Sequence, residues 1–296
     1  MDQYFLIDSI QSIADGLLFG ATYAMIGLGF TLIFGVMHKI NLSYAAASIG
    51  GAYASLLILQ GAAVPTPLIF LLAALSGGVI GLIVYFACFH FIPLANPLAT
   101  LMSTVGMLLL IDEVIVHATD GMPLSYPPVL EDGSIFIGPF YFRGDLIVVF
   151  LLGCLCMLGL LWLLYRTRLG LATRAVAQQA VAAQLCGIRV TNVNAQVFVI
   201  TGLLGGIAGA MIGAAVGVLS PLLALPLTVK GLIVTVIGGL GSIPGAIVAG
   251  LVVGGFENFF QFLRGVTERD LYVMLLLFAF LVFRPSGLFG SVQMRD

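Results

Sequence analysis

Apolar positions along this chain gather into long blocks separated by short polar turns. The blocks fall at about 14–37, 44–60, 67–90, 97–117, 145–165, 193–217, 224–240, 244–261 and 269–284. Runs of about 20 residues with few charges predict helices that cross a bilayer. The blocks at 14–37, 67–90 and 145–165 are the clearest. Block 44–60, "YAAASIGGAYASLLILQ", is short and rich in small residues, so it predicts a helix that crosses or one that enters and returns inside protein. Around "GGLGSIPGA" (238–246), Gly and Pro interrupt the run. Such breaks are tolerated where neighbouring helices or a cavity satisfy the freed backbone. The pattern therefore predicts an all-α polytopic membrane protein of eight or nine transmembrane segments, with short and broken helices, in one domain over 1–296.

Composition strengthens this picture. The chain is 61% hydrophobic and 8% charged, with a mean hydropathy of +1.18. Soluble domains run about 45–50% apolar and about 25% charged. The 37 glycines suit helices that approach closely in lipid. "MDQYFLIDSIQSIAD" holds Asp2, Asp8 and Asp15 and no basic residue, so it lacks the positive start of a cleaved signal. Cys88, Cys154, Cys156 and Cys186 lie in or beside apolar blocks and read as small packing residues.

Charge sets direction. The positive ends are His38 with Lys39, the 166–189 cluster, and Arg284 with Arg295. Placing them in the cytoplasm puts the acidic N-terminus and the loop 118–143 outside, with nine crossings and the C-terminus inside. Arg264 is then a mild exception, near Glu257 and Glu268. In this arrangement crossings one to four and six to nine run in opposite senses, as an inverted repeat would. The external loop carries turn pairs at Asp120-Gly121, Asp132-Gly133 and Gly138-Pro139, which predict a small hairpin.

The segment 167–190 breaks the apolar pattern. Four of the chain's 11 basic residues (Arg166, Arg168, Arg174 and Arg189) fall in 166–190, with no acid among them. An Arg at the centre of a membrane helix costs roughly 2.5–3.5 kcal/mol, so this stretch belongs in a cytoplasmic loop. Residues 172–183 are alanine-rich and predict a short helix, with Val176, Ala180 and Ala183 as a small apolar stripe and Gly187 as its stop. Such a face fits a groove on another protein, or lies on anionic lipid.

The pattern R-x-G-x-A-x-R-A-x-A-Q-x(4)-A-x-x-x-G-I is carried by Arg168, Gly170, Ala172, Arg174, Ala175, Ala177, Gln178, Ala183, Gly187 and Ile188. It resembles the cytoplasmic coupling loop of ABC importer permeases, most closely the LivH-type permeases of branched-chain amino acid transporters. "GLLFGATYAMIGLGFTLIFGVMHKIN" (16–41), "GGLGSIPGA" (238–246) and "FRPSGLFG" (283–290) match the same family in order. The resemblance implies a type II importer-like permease that pairs with a LivM-type permease. Two cytoplasmic ATPases then dock on the coupling loop and carry ATP and magnesium, and a periplasmic binding protein delivers the substrate. It implies no cofactor on this chain, no nucleic acid, and a multi-pass place in the bacterial inner membrane. It further implies that Arg174 and Ala175 anchor the coupling helix, that Ala183 seats in the ATPase groove, and that Gly187-Ile188 end the helix. Urea, short amides and aromatic acids are carried by relatives of similar architecture.

Other chemistry is thin. After Asn41 the family commonly carries a His-Gly-acid sequence, whereas residues 41–47 read "NLSYAAA". Asn41, Ser43 and Tyr44, with Ser103 and Thr104, are the candidates for a polar route, set against the commoner habit of such hydroxyls to bond their own backbone. Asp112, Glu113 and Glu257 read as acids near outer helix ends. No phosphate-binding G-x-x-x-x-G-K-[ST] loop occurs, and no catalytic triad or zinc motif suggests an enzyme. A stand-alone secondary transporter is the alternative; it would need membrane-embedded ionisable groups, which read as scarce.

Overall fold

A computed structural model describes residues 2–59, 65–92, 97–130, 133–137 and 139–290. Each apolar block forms a helix: α1 (Asp2–Met37), α2 (Tyr44–Ile58), α3 (Thr66–Tyr85), α4 (Pro97–Thr119), α5 (Gly144–Arg166), α8 (Val190–Val216), α9 (Ala224–Gly238), α10 (Ile243–Arg264) and α11 (Arg269–Phe283). Between α5 and α8 lie α6 (Arg168–Gln178) and α7 (Ala180–Leu185). A π turn, Phe86–His90, extends α3, and a 3₁₀ turn, Pro221–Leu223, leads into α9.

Among the described residues, seven helical stretches are long and apolar enough to cross a membrane. The expected eight or nine segments include two, α2 and α11, that fall below this length. α2 and α11 have 15 residues each, about 22 Å of helix against about 30 Å of hydrocarbon. α2 makes up for its length by position: Tyr44 to Tyr53 is buried throughout, sheathed by α3 and α8.

Glycine brings the long helices together. α1 packs along α10, and α3 along α8. At the first crossing Gly16 and Gly20 face Gly250 and Gly254; a Cβ on Gly16 would lie 2.6 Å from the Gly254 carbonyl oxygen. At the second, Gly77 and Gly81 face Gly202 and Gly206, and a Cβ on Gly206 would run into the carbonyl of Ala73. Each helix thus brings a Gly-x-x-x-Gly pair to its partner, which lets backbones meet where lipid offers no hydrophobic drive.

The expected hairpin is present. β2 (Ser134–Ile137) pairs antiparallel with β3 (Phe140–Arg143), and Asp120 and Gly121 both take positive φ at the predicted turn after α4. Glu131, Asp132 and Gly138 lie outside the described residues. Side chains of the helices hold the loop in place. Gln11 of α1 bonds both backbone groups of Tyr141, donating to the carbonyl (2.6 Å) and accepting from the amide (3.1 Å). Asp145 accepts from the amides of Val129 and Leu130. A second short ladder joins β1 (Leu124–Ser125) to β4 (Val218–Leu219). Beside it Tyr126 is buried over Gly213, and burial pushes its phenol well above the usual range.

Candidate functional site

The four stretches that carry the family resemblance meet at one end of the molecule. Thr31, Val36, Arg174, Ala177, Ser242 and Phe289 contribute to the wall of one cavity of about 400 Å³, so each stretch supplies part of it. The closing stretch is locked onto the 238–246 turn by hydrogen bonds from Leu288 N to Ile237 O (2.8 Å) and from Phe289 N to Gly238 O (3.1 Å). Gly239 sits at φ +100°, where a side chain is strained, and a Cβ there would lie 2.5 Å from Gly290 N. The glycines of both stretches are thus required by one close approach.

The basic segment emerges beside this cavity. Thr167 caps α6, its hydroxyl accepting from Gly170 N at 3.2 Å. Gly170 is buried where a Cβ would collide with the carbonyls of Leu163 and Leu164, so only glycine lets α6 turn this tightly off α5. Arg168 is exposed, and Arg174 lies over the Tyr165 ring at 5.2 Å, a cation–π contact. Ala175 is half-buried and Gln178 exposed. The single helix expected over 172–183 is two. Gln179 takes an extended backbone (φ −158°, ψ 103°) and redirects α7 toward α8. Of the expected stripe, Val176 and Ala183 are buried and Ala180 is exposed. Ala183, at 4% exposure, is turned into its own chain, which corrects its placement facing a partner. The face left open is Leu171, Val181 and Leu185, the last 86% exposed. Gly187 stops α7 at φ +84°, with Ile188 N bonding Ala183 O and Gly187 N bonding Gln184 O, a complete Schellman motif. Cys186, expected to pack, is exposed there.

The polar-route candidates are drawn into local structure. Asn41 Oδ1 accepts from the amide and hydroxyl of Ser43 (3.2 and 2.7 Å), closing the turn that starts α2. Tyr44 is wedged between Gly29 of α1 and Gly205 of α8, edge-on to Phe30. Thr104 bonds the carbonyl of Leu101 in its own helix, and the half-buried Ser103 accepts from Cys88 through its backbone.

A second polar cluster has no counterpart in the sequence reading. Lys230 of α9 and Glu257 of α10, both buried, are 2.7 Å apart. Glu257 is also 3.5 Å from Arg269, Arg269 is 3.8 Å from Asp270, and Asp270 is 3.1 Å from Lys230. The four charges close a ring of alternating sign across α9, α10 and α11, and Tyr23 of α1 touches Lys230 at 3.2 Å. Glu257 is therefore a buried ion-pair member rather than a solvated helix-end acid, and with Lys230 it is one of two buried charged side chains among the described residues. One signal could have found the ring: Lys230 is the lone charge in block 224–240, and an ionisable residue inside such a block is a functional candidate by default. Asp112 is half-buried with Oδ1 unpartnered, and Glu113 is exposed. Among the described residues, no group of three or more His, Cys, Asp or Glu gathers to hold a metal.

Comparison with known proteins agrees with the motifs. Residues 12–283 match the family model described as "Branched-chain amino acid transport system / permease component". The chain is 30% identical to the high-affinity branched-chain amino acid transport system permease protein BraD of Pseudomonas aeruginosa, over 97% of each chain. It is 28% identical to LivH of Salmonella typhimurium and 27% identical to LivH of Escherichia coli K12, again over 97% of each chain. Among solved structures, PsaBC from Streptococcus pneumoniae in complex with Fab aligns over 95% of this chain and 92% of that one, at 14% identity and a TM-score of 0.48. With its polytopic helical fold and a match spanning nearly its whole length, the chain belongs to the family of branched-chain amino acid transport system permeases and is a transport component rather than an enzyme.

Proposed function

We propose that this chain is the LivH-type permease of an ATP-driven importer for branched-chain amino acids, paired in the bacterial inner membrane with a LivM-type permease. A periplasmic binding protein delivers substrate to the end bearing the β2–β3 hairpin. Two ATPases, holding ATP and magnesium, grip the α6–α7 elbow at the other end. The N-terminus lies outside and the C-terminus in the cytoplasm. The observation that carries this reading is the convergence of four separately matched stretches on one cavity beside an exposed elbow with an apolar tip and a basic flank. Val181 and Leu185 give a groove something to hold, and Arg168, Arg174 and Arg189 add charge around it.

Mechanically, the elbow is rigid at both ends, through the Thr167–Gly170 cap and the Gly187 stop. Force on its tip passes through Val176 and Ala183 into α8, and through Arg174 to the cavity where the 239–242 turn meets the closing stretch. The test is purification of the complex. Leu185→Glu buries a charge in the contact and should lose the ATPases while the permease still inserts; Arg174→Glu should abolish uptake. Co-purification of ATPases at wild-type yield with Leu185→Glu would refute the elbow as the docking point.

A further inference from the structure

The charge ring has one open side. Lys230 and Asp270 also line a cavity of about 200 Å³ between α9 and α11, where Val229, Ile233, Val273 and Met274 supply hydrocarbon and a thioether. That space is more than tenfold the ~10–15 Å³ that one water requires. The wall therefore presents one ammonium and one carboxylate 3.1 Å apart, with apolar surface beyond. A free aliphatic amino acid has the complementary pattern, a carboxylate and an ammonium on one carbon with hydrocarbon beyond.

We propose that this cleft receives the transported amino acid. Lys230 Nζ takes the α-carboxylate, Asp270 takes the α-ammonium, and the aliphatic side chain enters between Val229, Ile233, Val273 and Met274. This rests on the function proposed above and deepens it. The ring is built unevenly enough to allow the exchange. Its Lys230–Glu257 side is short (2.7 Å), with side chains 10% and 5% exposed. Asp270 is 59% exposed and held at 3.1 and 3.8 Å. A ligand can take over the Asp270 link and leave the buried bond intact. A zwitterion adds no net charge to a ring that is already neutral, so the exchange creates no uncompensated ion. Urea and simple amides lack the carboxylate, and aromatic acids without an amine lack the ammonium, so each meets half of the site.

The experiment is uptake into proteoliposomes by the assembled transporter, with saturating loaded binding protein. It compares leucine with the smallest aliphatic amino acid that the binding protein delivers. Met274→Trp fills the cleft, Asp270→Asn removes the ammonium acceptor, and Val282→Trp, at an exposed position on the same helix, is the control. Met274→Trp should lower leucine uptake roughly tenfold or more and spare the smaller substrate, since one methylene in an apolar pocket is worth about 10–200-fold. Asp270→Asn should lower uptake of both, and Val282→Trp neither. Where Asp270→Asn fails to assemble with the ATPases, the substrate ratio of Met274→Trp decides alone. Wild-type uptake with Met274→Trp unchanged, or with equal loss of both substrates, overturns the cleft; a lipid chain as sole occupant gives the first of these. Failure of the wild-type assembly to take up any branched-chain amino acid defeats the function proposed above and this site with it.

Discussion

Lys230→Met tests whether the charge ring holds α9, α10 and α11 together. Lys230 Nζ contacts Glu257 Oε1, Asp270 Oδ1 and the Tyr23 hydroxyl. Without it, two acids face one cation and the ring carries a net −1. Glu257 Oε1 keeps only Arg269 at 3.5 Å, and its Oε2 is already buried without a partner. Removing one member of a buried ion pair costs about 3–5 kcal/mol. The exposed Asp270 brings solvent to one side, so the low end, about 3 kcal/mol, applies; at 1.36 kcal/mol per decade this is roughly a 150-fold loss in the folding equilibrium constant. Lys230→Met/Glu257→Gln restores neutrality and leaves the Arg269–Asp270 pair, so the double variant should regain about 2 kcal/mol as coupling energy. Equilibrium unfolding of the purified protein in mixed micelles measures Lys230→Met, Glu257→Gln and the double variant. A single variant within about 0.5 kcal/mol of wild type, or a double variant no more stable than the weaker single, refutes the argument.

Two further outcomes follow from the packing. Gly206→Leu drives a side chain into the Ala73 carbonyl at the α3–α8 crossing, and overpacking of this kind costs typically ~1–3 kcal/mol or more; the yield of monodisperse protein on size exclusion should collapse, whereas Gly159→Leu, with open space around its Cβ position, should not change it. Gln11→Ala removes both bonds to Tyr141, each worth about 1 kcal/mol, so amide exchange at 140–143 should rise while that of α10 stays at the wild-type rate.

The helices were legible because membrane spans are a matter of length and apolarity, both local. The hairpin was legible because Asp-Gly and Gly-Pro steps mark turns. The basic elbow was legible as a helical interruption, but its break was not. Alanine flanks Gln179 on its C-terminal side and no Gly or Pro announces the turn, which serves the packing of Ala183 toward α8. Of the charge ring only Lys230 stood out, as a lone charge in its block, and its partners did not. Tyr23 and Lys230 stand 207 positions apart, and no periodicity links residues brought together by three crossing helices. For the polar-route residues, sequence pattern does not distinguish a hydroxyl lining a channel from one bonded to the preceding turn, as Thr104 is.

The packing also bears on the inverted repeat expected from topology. Exchange α1, α2 and α3 with α8, α9 and α10, and the main contacts map onto one another: α1 on α10 becomes α8 on α3, and both crossings are built on paired Gly-x-x-x-Gly stretches. α2 lies on α3 and α8, as α9 lies on α10 and α1, and α2 touches α9 across the centre. α4 rests on α2 as α11 rests on α9. Helix α5, with the elbow attached, has no equivalent. The two halves therefore share an architecture whose contacts need only small residues at crossings, a demand that many sequences meet, so similarity between the halves can vanish while the packing persists. Their chemistry is divided. Helix α2 holds no charged residue, and the buried Thr104 of α4 satisfies itself within its own helix. The equivalent α9–α11 pair holds the cleft and three of the ring's four charges, with Glu257 supplied by α10. Of two like halves, the second carries the ring of paired charges, and Lys230, which joins that ring to the cleft, is the residue on which the asymmetry turns.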